Sequence, residues 1–371
     1  MHLGLLLYGG LNLVSGGFLY DRQLVQHFVS RGDEVEVISI PWRAYGRGLW
    51  DNLSPDLGER LHRAHFELLL QDELAHPSLF LLNRWLRRRV SYPLVAIVHH
   101  LRSCEARPAW QNRLYRWVEG SYLASVDGFI CNSQTTRAEV ESLVGAGRPV
   151  VVAPPGGDRL PGKFSAAQIA AKALAPGPLK IIAVANLIPR KGIHTLITAL
   201  ASLPHHHWQL TVAGSLDLDS RYVASLRRQV EQEKVSSRIT WLGSVSDQEL
   251  AVLLPQHHLL AVPSFYEGFG IVYLEAMRFG LPVIAGAAGG VREIVRHGVD
   301  GFLTPPGDPA VLSRRLASLM QDRDLLRRLS LAALARAASH PTWEASAAQV
   351  REFLCGFNQA PQTLVFPRCE R

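Results

Sequence analysis

The sequence predicts two doubly wound α/β domains of the Rossmann type. The chain has 371 residues, which is long for one compact core. Short apolar runs alternate with helical stretches, the rhythm of parallel sheets. Between Pro154 and Pro178 that rhythm stops and the composition shifts to Pro, Gly and Ala, as in a linker.

A first domain is expected over residues 1–160 and a second over 161–341. Leu3 to Tyr8 is a continuous apolar run, a buried first strand. A turn containing Gly9, Gly10, Gly16 and Gly17 follows, then a helical pattern from Leu19 to Arg31 and a strand from Glu34 to Ile40. Further strands are expected at Pro93–Val98, Gly128–Cys131 and Val150–Ala153. Beyond the linker the strands are Leu179–Ala185, Trp208–Ala213, Ile239–Leu242, Leu259–Val262 and Val283–Ala285. The helices between them are Gly192–Leu203, Arg221–Lys234, Asp247–Leu254 and Gly268–Phe279. The helical tail, about 342–371, is expected to pack back on the first domain.

Hydrophobic residues make up 47% of the chain, so both halves can bury a core. The net charge of +7 is local: from Arg84 to Arg116 there are eight arginines against the single Glu105, and the other 31 basic and 31 acidic residues cancel. Such a segment suits phosphates, and an anionic membrane surface is one expected partner. Nucleic acid is not expected, because no recognition module or base-stacking pattern accompanies the charge. Leu79–Val90 mixes apolar residues with arginines. Two readings stand: a core-facing helix with a solvated basic edge, or a membrane-surface helix. Four cysteines without CxxC or zinc spacing suggest a reduced, cytosolic chain with no structural metal. The apolar N-terminus is short and lacks a basic lead-in, so it reads as a strand and not as a signal peptide. No run reaches the roughly 18 apolar residues of a membrane span. The expected place is the cytoplasm, peripheral at the inner membrane face if the basic segment binds lipid.

The strongest chemical signal lies between Ser264 and Gly290. Glu267 stands just after a strand, and Gly268 and Gly270 permit close backbone approach where a helix starts. Free amides at a helix N-terminus suit a diphosphate. Seven residues separate Glu267 from Glu275, about two helical turns, so both carboxylates turn towards one side. VAIVHHLRSCEAR sets His99 and His100 at a strand end, where such sheets bind ligands. His205, His206 and His207 are contiguous and cannot converge well on one metal, so they read as a polar loop.

The stretch EGFGIVYLEAMRFGLPVIA resembles the retaining glycosyltransferases of the GT-B fold, group 1 or family 4, with their Glu, seven residues, Glu hallmark. GGVREIVRHGVDGFLTPPGD, NLIPRKG, WLGSVSDQEL and the opening glycine turn extend the resemblance over most of the chain. It implies two Rossmann-like domains facing across a cleft, acceptor on the first and donor on the second. It implies hexosyl transfer from a nucleotide-diphosphate sugar to a glycan, lipid-linked or small-molecule acceptor. It also implies retention of configuration and no cofactor beyond the co-substrate. Glu267 would contact the hexose and Glu275 the ribose. Backbone at Gly268, Phe269, Gly270 and Ile271 would hold the diphosphate, with Gly16, Gly17 and Gly243 lining the donor site. Lys191 matches the family's leaving-group lysine, but Asn186 stands where the family has arginine, and Arg190 is adjacent. His99 matches the histidine near the transferred sugar, with His100 in reserve. Asp217-Leu218-Asp219 resembles the metal-binding DxD of another glycosyltransferase fold but lies away from the donor motif, so no metal is expected. A GT-B epimerase or phosphorylase and a non-catalytic sugar-nucleotide-binding subunit remain as alternatives.

Overall fold

A computed structural model describes residues 1–359 except 14 and 106, with backbone alone at 358 and 359. The chain divides into two compact units: Met1–Pro154 together with residues from Glu344 onward, and Pro155–Trp343.

The first unit runs β1 (His2–Tyr8), α1 (Gly16–Ser30), β2 (Glu34–Ile40), α2 (Tyr45–Gly48), α3 (Pro55–Arg63), β3 (Leu68–Asp72), α4 (His76–Leu79), α5 (Leu82–Leu86), β4 (Leu94–Val98), α6 (Ala109–Leu123), β5 (Gly128–Cys131), α7 (Gln134–Val144) and β6 (Val150–Val152). Its six strands are parallel, in the order β2-β1-β3-β4-β5-β6. From Leu3 on, every residue of β1 is buried, as in a sheet covered on both faces. α1 starts three residues before the expected Leu19. Ser15 caps it by accepting the Phe18 N–H, so Gly16 and Gly17 are its first turn and not part of a loop. β3 was not anticipated, because FELLLQD reads as easily as helix when its two faces are both apolar.

The second unit runs α8 (Ala166–Leu174), β7 (Leu179–Val184), α9 (Ile193–Ala201), β8 (Trp208–Ala213), α10 (Ser220–Gln232), β9 (Ile239–Gly243), α11 (Asp247–Leu253), β10 (Leu259–Val262), α12 (Ile271–Arg278), β11 (Val283–Gly286), β12 (Gly301–Thr304), α13 (Pro309–Gln321) and α14 (Arg323–Ala338). Again six parallel strands form one sheet, in the order β12-β11-β10-β7-β8-β9. α8 lies inside the expected linker. Its capping box, Ser165 with Gln168, was present in the sequence.

The last helix, α15 (Trp343–Gln359), belongs with the first unit from Glu344 onward. Arg351 holds the buried Asp33 carboxylate at 2.6 Å, and Glu344 meets His27 at 3.0 Å and Arg31 at 2.5 Å. Cys104, Cys131 and Cys355 are free thiols; Cys369 and the rest of the expected tail lie outside the described residues. Among the described residues no helix is long and apolar enough to cross a membrane.

Candidate functional site

In both sheets the strand order reverses next to the first strand, and ligands of such sheets bind at the carboxyl ends there. In the second unit the reversal separates β7 from β10. The segments leaving these two strands are NLIPRKG and SFYEGFG, so the topology brings the two strongest motifs together.

Their backbones are joined: the Phe265 N–H donates to the Arg190 carbonyl at 2.8 Å. Gly192 has φ +69°, and a Cβ there would lie 2.2 Å from the Pro263 carbonyl oxygen, so only glycine permits this approach. The side chains then converge. The Lys191 ammonium is 2.5 Å from Glu267 Oε1, and Ser264 Oγ donates to the same oxygen at 2.7 Å. Arg190 donates to the Tyr266 carbonyl at 2.8 Å and lies 3.8 Å from Glu267 Oε2. Burial pushes the Glu267 pKa up, but the Lys191 and Arg190 charges and the Ser264 bond outweigh it and hold the carboxyl below its ordinary value. Glu267 is therefore a buried anion with two cations at hand. Gly270 caps α12 directly after it, so Phe269, Gly270 and Ile271 sit at a helix N-terminus beside that cationic group. Asn186 lies at the exit of β7, its carbonyl accepting the Ile188 N–H.

Glu275, on α12, is buried but has other partners. Arg159 Nε bonds its carboxylate at 2.8 Å, and the same guanidinium pairs with Asp247. Burial raises the Glu275 pKa, and Arg159 offsets that only in part. No hydrogen bond or ion pair joins Glu267 to Glu275 among the described residues. Gly243 ends β9, two strands from β7, and its carbonyl accepts the Gly214 N–H at 2.8 Å. Asp219 of the DxD look-alike caps α10, accepting the Tyr222 N–H, and so already has a structural task. His205, His206 and His207 form an exposed single turn.

In the first unit the reversal separates β1 from β3. Gly17 and Asp21 of α1, Asp72 at the end of β3 and His99 just after β4 gather around it. A Cβ on Gly17 would stand 3.0 Å from the His99 ring, so that glycine makes room for the imidazole. His99 Nε2 is 3.2 Å from Asp21 Oδ1, and the Tyr20 ring packs edge-on against it at 5.5 Å. Burial lowers the His99 pKa, but Asp21, Asp72 and Glu73 together raise it to about 9. These carboxylates favour the imidazolium form of His99, and burial beside Asp21 keeps the Asp72 carboxyl raised. His100 turns away to Glu105 at 2.9 Å.

Sequence reasoning missed Asp21, Asp72, Ser264 and Arg159. The acidic pair that closes an apolar run, as in LLLQDE, was the available signal for Asp72. Asp21, Asp72 and His99 offer ligand atoms within 4.8 Å of one another, as do Glu73, His76 and Glu119. Burial pushes Glu73 and Glu119 up to about 7 and His76 down to about 4, so it disfavours the charged form of all three.

Family models match most of both units. Glycosyl transferases group 1 matches residues 165–336, and Glycosyltransferase Family 4 matches residues 15–159. The chain is 31% identical over 303 residues to the D-inositol 3-phosphate glycosyltransferase of Nocardia farcinica, covering 77% of this chain and 67% of that protein. The chain belongs to the group 1, family 4 glycosyltransferases. A second relative is a GDP-mannose-dependent alpha-(1-6)-phosphatidylinositol monomannoside mannosyltransferase of Mycobacterium tuberculosis. It is 29% identical, over 62% of this glycosyltransferase and 61% of its own length. Solved structures share the GT-B-type fold. The sucrose-phosphate synthase of Thermosynechococcus elongatus superposes with a TM-score of 0.79 at 23% identity, over 95% of this chain and 98% of that one. Anabaena HepE, solved with UDP-glucose, gives 0.77 at 23% identity, over 96% and 100%.

Proposed function

We propose that this glycosyltransferase moves a hexosyl group from a nucleotide-diphosphate sugar to a glycan, lipid-linked or small-molecule acceptor, with retention and without a divalent metal. The observation that carries this reading is the ion pair of Lys191 with the buried Glu267 at the N-terminus of α12. Glu267 is ionised, so it can accept hydrogen bonds from sugar hydroxyls. As the glycosidic C–O bond breaks, negative charge grows on the departing diphosphate. Lys191, Arg190 and the amides of Phe269, Gly270 and Ile271 meet that charge in place of a metal. Glu275, oriented by Arg159, takes the ribose hydroxyls. His99 serves the transferred sugar, and the first unit takes the acceptor. Same-face substitution assisted by the leaving phosphate accounts for retention without a covalent side-chain nucleophile.

The non-catalytic alternative is motivated by Asn186. Arg190 weakens that motive, because its guanidinium lies beside Glu267. The test is a thermal-shift screen with UDP-, GDP- and ADP-sugars, followed by NMR of the product anomer. A donor that raises the melting temperature and gives an α-linked product from an α-linked donor supports the reading. Donor binding without turnover with any acceptor returns the binding-subunit reading, and a product formed with no acceptor present returns the epimerase.

A further inference from the structure

We infer that the first unit docks on an anionic lipid surface through the outward face of α6. The basic segment Arg84–Arg116 gave a charge-based reason to expect lipid, but the leucines of its leading helical stretch are not where the docking face lies. Leu79, Leu82 and Leu86 are buried in the core, which is the core-facing reading of Leu79–Val90, and Arg87 pairs with Asp127 at 2.8 Å. The exposed apolar surface is on the next helix.

α6 buries Val118, Glu119, Tyr122 and Leu123. Its opposite face exposes Trp110 (66%), Leu114 (42%) and Trp117 (60%). Spacings of four and three residues put these on one stripe. Arg113 and Arg116 are exposed between them and make no ion pair with a described residue. The stripe continues beyond the helix. The Trp117 ring packs on Phe80 at 5.7 Å, and its neighbour Leu81 is exposed. The Leu81 N–H donates to Asn52, which lies between the exposed Trp50 and Leu53. An exposed apolar surface drawn from three segments is an interaction site, where a lone exposed leucine would be ordinary.

Its charge selects the occupant. No acidic residue lies between Arg107 and Val118, and Arg84, Arg88 and Arg89 add exposed guanidiniums from the neighbouring segment. Tryptophan settles at the headgroup level of a bilayer, and guanidinium forks fit lipid phosphates. A second copy of this chain would bring the same cationic face against itself, which repulsion opposes. The docking proposal stands apart from the donor chemistry: it would survive failure of every donor assignment above.

The experiment is co-sedimentation of the purified full chain, without donor, with phosphatidylcholine vesicles that contain phosphatidylglycerol and with pure phosphatidylcholine vesicles. Binding to the anionic vesicles alone is expected, weakening from low to physiological salt. Brominated lipid should quench tryptophan fluorescence. The R113E/R116E pair should cut partitioning by about twentyfold or more, since each arginine near such a surface is worth roughly fivefold. The W110S/W117S pair should lose most of the bromine quenching. All four positions are exposed, so melting temperatures should match that of the parent chain. Equal binding to both vesicle types, binding to neither, or unchanged binding in both variants overturns the proposal. Concentration-dependent dimerisation that the same substitutions abolish, without vesicle binding, assigns the surface to a second copy instead.

Discussion

Lys191 and Glu267 form a close ion pair across two loops that leave neighbouring strands of the second sheet, with Nζ 2.5 Å from Oε1. The pair satisfies a buried carboxylate, and it places a cation beside the helix N-terminus that would receive the diphosphate. Lys191→Ala should therefore lower turnover more than it weakens donor binding, because the charge it answers is greatest in the transition state. A loss of about 2.7–4 kcal/mol, a hundred- to thousandfold in kcat, is the scale for one preorganised electrostatic group. Steady-state kinetics beside calorimetric donor affinity check it, and weaker donor binding with kcat unchanged would show ground-state binding alone.

Arg190 should share that task. Asn186 brings no charge where the family has arginine, and the Arg190 guanidinium is held by the Tyr266 carbonyl 3.8 Å from Glu267. Arg190→Ala should lower kcat by tenfold or more, with Asn186→Ala milder. In Asn186→Arg the penalty of removing Arg190 should shrink. A near-wild-type Arg190→Ala enzyme would show that the guanidinium only braces the loop.

Glu275→Ala should weaken donor binding by about 1.5–3 kcal/mol, the range for a hydrogen bond involving a charged group. Removing its partner is the sharper probe. Arg159→Ala leaves Glu275 buried without its cation, so the carboxyl, already raised by burial, should rise further and favour its neutral form. Donor affinity in that variant should fall as pH drops towards the new pKa. Calorimetry across pH reads it, and a flat profile separates Arg159 from donor binding.

Turnover should persist after exhaustive chelation, since Lys191, Arg190 and the α12 amides stand where a metal's charge would act. Activity that vanishes and returns with magnesium or manganese would move attention to Asp21, Asp72 and His99, whose ligand atoms lie within 4.8 Å of one another.

Two kinds of information differed in legibility. The alternation of apolar runs carried the parallel sheets, because buried strands need both faces apolar and the helices between them do not. It failed where that contrast vanished. β3 blends into the helical text before it, and α8 hides in an alanine-rich stretch that composition alone reads as linker. Loop chemistry was legible as type but not as pairing. Glu267 and Lys191 were readable as candidate donor-site residues, yet their contact depends on β7 lying beside β10, a long-range fact no local pattern holds. Arg159 was invisible for the same reason: 116 residues separate it from Glu275. The exposed stripe of α6 was hidden differently, since periodicity shows that a helix has an apolar face but not which face the core takes.

The His99–Asp21 pair makes the protein's stability depend on pH above neutrality. Burial alone would leave His99 neutral, but Asp21, Asp72 and Glu73 raise its pKa to about 9, against about 6.5 in an unfolded chain. The folded state therefore holds a proton that the unfolded state releases, and stability falls as pH rises between those values. The Asp72 carboxyl, raised to about 8 by burial and by Asp21, acts with the same sign and overlaps the lower part of this window, because folding also favours its protonated form. The stabilisation from His99 is complete below about pH 6.5 and gone above about pH 9. One proton limits the His99 share of the slope to about 1.4 kcal/mol per pH unit. Chemical denaturation at intervals over that window should show the decline. His99→Gln should flatten its upper part, above about pH 8 where Asp72 no longer contributes, since the amide keeps a hydrogen bond to Asp21 but cannot titrate. Asp21→Asn should flatten it as well, by removing the charge that raises His99. A parent protein whose stability holds level from pH 6.5 to 9 would mean that His99 is neutral in the fold, and its proposed part in sugar transfer would then be that of a hydrogen-bonding ring without charge.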